Sequence, residues 1–430
     1  MGHTALDPDL RYRQLQRRLD RMPTGAPGTP AFRAILRLLF SPEEAELAAR
    51  MPTLCSLTSL ARTVGRDVAD LDESITCMAA RGVVFDIEMR GERWVMLAPV
   101  VVGFYETTFM HVGENTPPAE LVHLFDEYLH EAHAAGLKSI FRANVQIMRA
   151  LVREEALPDD PGVEVLDFER TSRVISSAET VAVATCPCRH HAQLAGRGCG
   201  AELRTCLSFN ANAGALVRAG LAEAISTTEA ADIVAKAKAA GLAQTADNVQ
   251  RDVGFICNCC RCCCGLMYGI RTTGVAGGVT SNWVADTDLT NCRGCKKCFR
   301  RCPVEAITVI DNGGRGRRPY WSIVDPDRCI GRGVCVDVCR WGGRYLRPRE
   351  RRTFTPTTTL DRLIAMAVER GKLGDLLVDT LPGTGPRTAA HVLQALERTP
   401  AATALRAVEP LRSVFLRGLL AALDATVERA

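Results

Sequence analysis

The side chains with obvious chemistry are cysteines, and 17 of the 19 lie between Cys186 and Cys339, leaving only Cys55 and Cys77 outside that stretch. Runs such as 257-CNCCRCCC-264 make poor disulfide frameworks, because neighbouring thiols compete for partners and geometry. Crowded thiols in a chain of this kind point to metal-sulfur chemistry in a reducing compartment. The densest regular spacing is Cys292-x2-Cys295-x2-Cys298-x3-Cys302-Pro303. Four thiolates in eleven residues before a proline are the spacing that grips a cubane iron-sulfur cluster, three on one cluster and the fourth on its neighbour. Zinc more often takes paired cysteines from separated knuckles.

Two further groups lie upstream. Cys186, Cys188, Cys199 and Cys206 are four thiols within 21 residues, compact enough for one cluster, with a structural zinc site or reactive thiols as alternatives. Cys257, Cys259, Cys260, Cys262, Cys263 and Cys264 are more than one cubane requires. They could hold a cluster alone, complete the upstream one, include bystanders, or bind zinc or relay sulfur. His190 and His191 follow the Cys-Pro-Cys-Arg piece, but adjacent side chains diverge, so at most one is expected to ligate.

Positioning these groups is the task of the rest of the chain. Its 430 residues suggest two to four domains, and an apolar fraction of 47% with 24% charged residues excludes a long disordered or fibrous chain. Charge is uneven: Arg293 to Arg352 carries 16 Lys and Arg against 6 Asp and Glu, a net of +10, which leaves the remainder at −6. The charged start shows no secretory pattern, and the longest apolar run, 94-WVMLAPVVVGFY-105, is too short for a spanning helix of roughly 20 residues. We expect a cytoplasmic protein with no membrane span.

The expected fold class is α+β and multidomain. Residues 1-30 read as a short helix and linker. Residues 31-110 read as helices followed by a β-hairpin about Arg90-Gly91-Glu92, similar to a winged helix. Residues 111-160 are a helical connector of two amphipathic helices. Residues 161-282 form a cysteine-rich α/β domain of β-α-α-β order, in which VISSAETVAVATC and VGFICNC run as strands into their cysteines, so that two sequence-distant cysteine sets meet at adjacent strand ends. Residues 283-350 hold an internal repeat, VADTDLTNCRGCKKCFRRCPVEAI against IVDPDRCIGRGVCVDVCRWGGRYL. Residues 351-430 are a helical C-terminal region.

On these motifs, residues 283 to 347 resemble a two-cluster bacterial-type ferredoxin domain, a βαββαβ fold used for one-electron transfer. AITVI and YWSIV would be its central hairpin. The resemblance implies one cluster on Cys292, Cys295, Cys298 and Cys339, and a second on Cys302, Cys329 and Cys335. Arg332 stands where the second half's missing cysteine belongs, and Arg340 replaces its proline, which implies a three-iron cluster or a four-iron cluster with a non-cysteine site. As a whole the chain resembles prokaryotic iron-sulfur proteins that join a winged-helix-like N-terminus to ferredoxin repeats through CPCR and CNCC groups. Cys263-Cys264-Gly265 is similar to the CCG motif of heterodisulfide-reductase-like proteins, whose cluster is catalytic, although the flanking spacings differ.

The expected cofactors are two or three 4Fe-4S clusters and a 3Fe-4S or three-cysteine cluster, all oxygen-sensitive. The expected function is single-electron relay between a low-potential carrier and a partner oxidoreductase, with no residue in acid-base catalysis. Arg293, Lys296, Lys297, Arg300, Arg301, Arg315, Arg317, Arg318 and Arg328 would make a docking face for an acidic ferredoxin or flavodoxin. The alternatives are a reductase with an open-site cluster, and a redox-responsive winged-helix regulator. Against the regulator, the presumptive recognition helix carries Asp67, Asp70, Asp72 and Glu73, which would repel phosphate. No flavin or nicotinamide fingerprint is present, because 312-NGGRGRR-318 reads as a hairpin turn.

Overall fold

The computed structural model describes residues 9–89, 91–130, 145–158, 166–274, 276, 278–311, 313, 320–380, 384–397 and 399. The chain divides into two compact units, one running to Tyr105 and resuming at Pro356, the other spanning Glu106–Thr355.

In the first unit, helices α1 (Leu10–Arg21), α2 (Pro30–Leu39), α3 (Pro42–Arg50), α4 (Leu57–Val64) and α5 (Val68–Ala80) follow one another. Their starts are written in the sequence. Thr29 and Ser41 each cap a helix whose first residue is proline, and Asp67 accepts from the Ala69 N–H at 2.8 Å to start α5. Strands β1 (Cys55–Ser56), β2 (Val84–Met89) and β3 (Glu92–Leu97) form a small antiparallel sheet in the order β1-β3-β2. The chain leaves through α6 (Tyr105–Met110).

The second unit is built on a six-stranded antiparallel sheet of β4 (Met148–Ala150), β5 (Val181–Thr185), β6 (Arg204–Phe209), β7 (Glu223–Ile225), β8 (Ala243–Asp247) and β9 (Phe255–Cys259), ordered β4-β8-β9-β6-β5-β7. Leu151, Val181, Val183, Leu207, Phe209, Ile233, Val234 and Ile256 fill its core. Helices α7 (Ala119–His130), α8 (Thr171–Ser176), α9 (Pro187–Leu194), α10 (Asn210–Arg218), α11 (Thr227–Ala239) and α12 (Gly265–Thr273) complete this part.

Two expectations change here. The connector was to be helical through 111-160, but Met148–Ala150 is a strand, with Met148 opposite Asp247 and Ala150 opposite Thr245, and Glu154–Ala156 is a single 3-10 turn; residues 131–144 lie outside the described residues. Both faces of that strand are buried, so pairing to β8 overrides a helical pattern. The middle domain also has more strands than β-α-α-β order supplies, because β6 lies between β5 and β9 in the sheet.

The repeat follows as β10 (Trp283–Thr287), α13 (Lys297–Arg301), β11 (Ile307–Asp311), β12 (Tyr320–Val324), α14 (Val334–Asp337) and β13 (Arg344–Pro348). Outer strands β10 and β13 pair antiparallel, as do hairpin strands β11 and β12. Arg315, Arg317 and Arg318 lie outside the described residues.

After Pro356 the chain returns to the first unit as α15 (Thr359–Arg370), α16 (Leu373–Thr380) and α17 (Thr384–Glu397). Asp379 on α16 accepts from Arg21 at 2.9 Å and lies 3.3 Å from the buried Arg18, so the C-terminal helices are joined to α1 instead of forming a separate tail. Among the described residues, no helix is long and apolar enough to cross a membrane.

Candidate metal centres

None of the nineteen cysteines is joined in a disulfide. In the first half of the repeat, Gly294 turns the chain with φ of 66°, and a Cβ there would stand 2.2 Å from the Tyr320 carbonyl oxygen, so glycine is required between Cys292 and Cys295. Cys298 and Cys292 converge on the Ser322 hydroxyl, at 3.6 and 3.9 Å. That hydroxyl accepts from the buried Arg344 at 2.7 Å. Cys295 is exposed. Gly343 packs against the Cys292 backbone, which brings the loop after Cys339 onto this half.

The second half is more enclosed. Cys302, Cys329 and Cys335 lie close enough to act electrostatically on one another, and burial drives Cys302 and Cys335 upward. The Ala306 N–H donates to the Cys302 sulfur at 3.3 Å. Arg332 enters this group only 4% exposed, and none of its three guanidinium nitrogens has a hydrogen-bond partner. Burial lowers its pKa to about 10, against Cys302, Cys259 and Cys335, which act to hold its charge. Gly331, with φ of 69°, delivers it there; a Cβ on Gly331 would lie 1.8 Å from the Trp283 carbonyl oxygen.

The family-wide sequence pattern of the 4Fe-4S dicluster domain matches residues 291–342. This segment is ferredoxin-like. No curated protein and no solved structure matches the chain. The donor set fits iron-sulfur clusters: the thiols come together, and the orphaned Arg332 cation lacks only an anionic neighbour such as thiolate-bound iron-sulfur.

The middle-domain thiols regroup across the two sequence sets. Cys186, Cys188, Cys264, Cys259, Cys257 and Cys206 form a closed ring in which each thiol acts on the next, with hydrogen bonds reaching from Cys188 round to Cys206 by way of Cys264, Cys259 and Cys257. Adjacent strands build it: Cys186 directly follows β5, Cys206 is on β6, and Cys257 and Cys259 share one face of β9. Cys186 and Cys264 are the N-caps of α9 and α12, so two helix starts point their positive ends at the ring. Hydrogen bonds from Cys257 and Cys264 bring Cys259 down to about 5, while the Cys206 and Cys259 contacts and burial push Cys257 up. Thr245 supports Cys259 at 3.4 Å.

Cys199 leaves its sequence neighbours and joins Cys260, Cys262 and Cys263, the four sulfurs all lying within 4.8 Å of one another. Beside them a cavity of about 380 Å³ is lined by His123, Asp126, Glu127, Arg197 and Tyr268 together with Cys262 and Cys263.

The two histidines face elsewhere. His190 Nδ1 is 2.8 Å from the Phe109 carbonyl oxygen, and His191 Nε2 is 3.2 Å from that of Val122 and 3.3 Å from Asp126. Sequence reasoning missed Arg189, which is 1% exposed and donates to the Asn258 carbonyl at 2.7 Å. Cys186 and Cys259 of the ring and Cys260 of the quartet act together to keep it charged against burial. Its signal was the Arg of Cys-Pro-Cys-Arg, because a cation directly beside metal-type thiols has a reason to be buried.

Proposed function

We propose that the chain is a multi-cluster electron-transfer protein of a reducing compartment, taking single electrons from an acidic, low-potential carrier and delivering them to a partner oxidoreductase. The observation that carries this reading is Arg332: one buried cation, whose guanidinium nitrogens have no hydrogen-bond partner, lies within electrostatic reach of Cys302 and Cys335 of the ferredoxin segment and of Cys259 of the thiol ring. Bound clusters supply one-electron uptake and release. The chain's own residues hold them, shield them from water and balance their charge.

The exposed Arg293, Lys297, Arg300 and Arg301 lie within six residues of the exposed Cys295 in the chain, with apolar Leu289, Phe299 and Trp341 exposed on the same domain. A cationic rim with apolar contacts suits an acidic redox protein. The helices and hairpin of the first unit support a winged-helix reading, and the acidic α5 favours its use in protein contact over DNA. A reductase is the second reading, favoured by the cavity against Cys262 and Cys263; turnover of candidate substrates with a reduced dye would reveal it.

Anaerobic purification with iron and acid-labile sulfide analysis tests the main proposal. About 11 to 16 irons per chain are expected for three or four clusters, at roughly four per cubane and three for a depleted one. Arg332→Cys should replace a three-iron EPR signal of the oxidised protein by a four-iron signal on reduction. A native protein with no three-iron signal after careful oxidation would show that the second half already has a fourth ligand.

A further inference from the structure

The ten thiols of the middle domain fall into two groups of different size, and the smaller one has the dimensions of a single ion. Cys199, Cys260, Cys262 and Cys263 hold their sulfurs within 4.8 Å of one another, and the Cys262 and Cys263 sulfurs are 3.7 Å apart. Four thiolates at about 2.3 Å from one tetrahedral zinc-type ion stand about 3.8 Å from each other. A four-iron cube takes each thiolate at a separate corner, so its thiolates are spread more widely. The chain supplies its own comparison. Among the described residues no other three Cys, His, Asp or Glu donor atoms draw this close, the cysteines of the matched ferredoxin segment included.

Local structure agrees. Cys260-Arg261-Cys262-Cys263 closes a tight turn in which the Cys263 N–H donates to the Cys260 sulfur at 3.3 Å, the bond that orients a thiolate in a cysteine knuckle. Ala237, Leu242 and Ala201 pack around Cys260, Cys199 and Cys263, shielding one side of the group. Arg189 lies against Cys260 and offsets part of the negative charge that four thiolates would bring.

We propose that Cys199, Cys260, Cys262 and Cys263 bind one divalent ion of the zinc class, separate from the iron-sulfur sites. Four protein ligands leave no open position, so the site is structural. It ties the loop before β6 to the loop between β9 and α12. That second loop carries Cys257 and Cys259 on one side and Cys264 on the other, so the ion would fix half of the thiol ring from outside. The proposal does not rest on the electron-transfer reading.

Metal analysis of the anaerobically purified full chain, with the Cys199→Ser and Cys262→Ser variants, tests it. The expected result is about one zinc per chain in the native protein, lost in both variants while iron and sulfide stay constant. Loss of one iron with no sulfide would support the same single-ion site with iron as its occupant. Loss of iron and sulfide together, at about four each, would overturn the proposal in favour of a cubane; unchanged metal in both variants would overturn it as well. If the variants do not fold, metal analysis and zinc-edge X-ray absorption of the native protein decide: four sulfur neighbours at about 2.3 Å support the site, and nitrogen or oxygen neighbours, or neither zinc nor iron in excess of sulfide, sink it.

Discussion

The two halves of the ferredoxin repeat share one sequence pattern and differ in what surrounds their thiols. The first half has its full cysteine run, an exposed Cys295 and a rim of exposed cations; the second has three cysteines and a buried arginine in place of the fourth. Positive charge is present in both, but it does different work. At the surface it is screened by salt and acts on approaching partners. In the interior, the buried Arg332 is screened far less and acts on Cys302, Cys335 and Cys259. Under the proposed electron-transfer reading, the first half would meet the carrier and the second would pass charge inward.

The largest expected effect tests the outer half. If its cations steer the carrier, reduction by an acidic ferredoxin or flavodoxin should slow as salt shrinks the Debye length from about 30 Å at 0.01 M to about 8 Å at 0.15 M. Reversal of Lys296, Lys297 and Arg301 to Glu should cut the low-salt rate by about 10 to 10³-fold and remove most of the salt dependence, with iron content unchanged. Stopped-flow measurements check both. A variant with the native salt slope would mean that electrons enter elsewhere, and the contrast between the halves would lose its functional meaning.

Next in size is the inner half. Arg332→Met keeps an unbranched side chain in the same space but removes the charge, so the reduced, more negative state of the second-half cluster loses its stabiliser. Its midpoint potential should fall by an amount on the order of 100 mV, or roughly 2 kcal/mol, for a buried charge at an effective dielectric of about 20. EPR-monitored redox titration reads this directly. The first-half potential should hold; if both halves shift equally, Arg332 is not specific to the inner one.

Legibility follows the same division. The first-half cysteine run, the hairpin strands and the outer strands could be read from the sequence because their signals are local: short cysteine spacings, glycine at a tight turn, alternating apolar runs. The thiol ring was only half visible. That strands carry Cys186 and Cys257 toward one another is an inference from their extended approach, but β6 between them places Cys206, and the partition of Cys199 from Cys206 depends on three-dimensional closure that seven residues of spacing do not encode. Met148–Ala150 was misread because a three-residue buried strand has too few positions to show a period. The union of α1 with α16 rests on Arg21 and Asp379, 358 residues apart, and no local pattern reports such a contact.

The smallest effect concerns how the outer half is tuned. Ser322 Oγ accepts a hydrogen bond from Arg344 at 2.7 Å, so its own proton is directed away from that guanidinium, toward the Cys298 and Cys292 sulfurs at 3.6 and 3.9 Å. A hydrogen bond to thiolate sulfur favours the reduced state and raises the potential. Ser322→Ala removes that donor and leaves Arg344 its contact with Thr287. A weak bond of this length is worth roughly 0.5 to 1 kcal/mol, so the first-half potential should fall by about 20 to 40 mV while the second-half potential stays fixed. The shift should also be smaller than that of Arg332→Met, because a single neutral donor replaces a full buried charge in the comparison. A Ser322→Ala protein with both potentials unchanged would show that Arg344 acts on the outer thiols through space, without the serine as its relay.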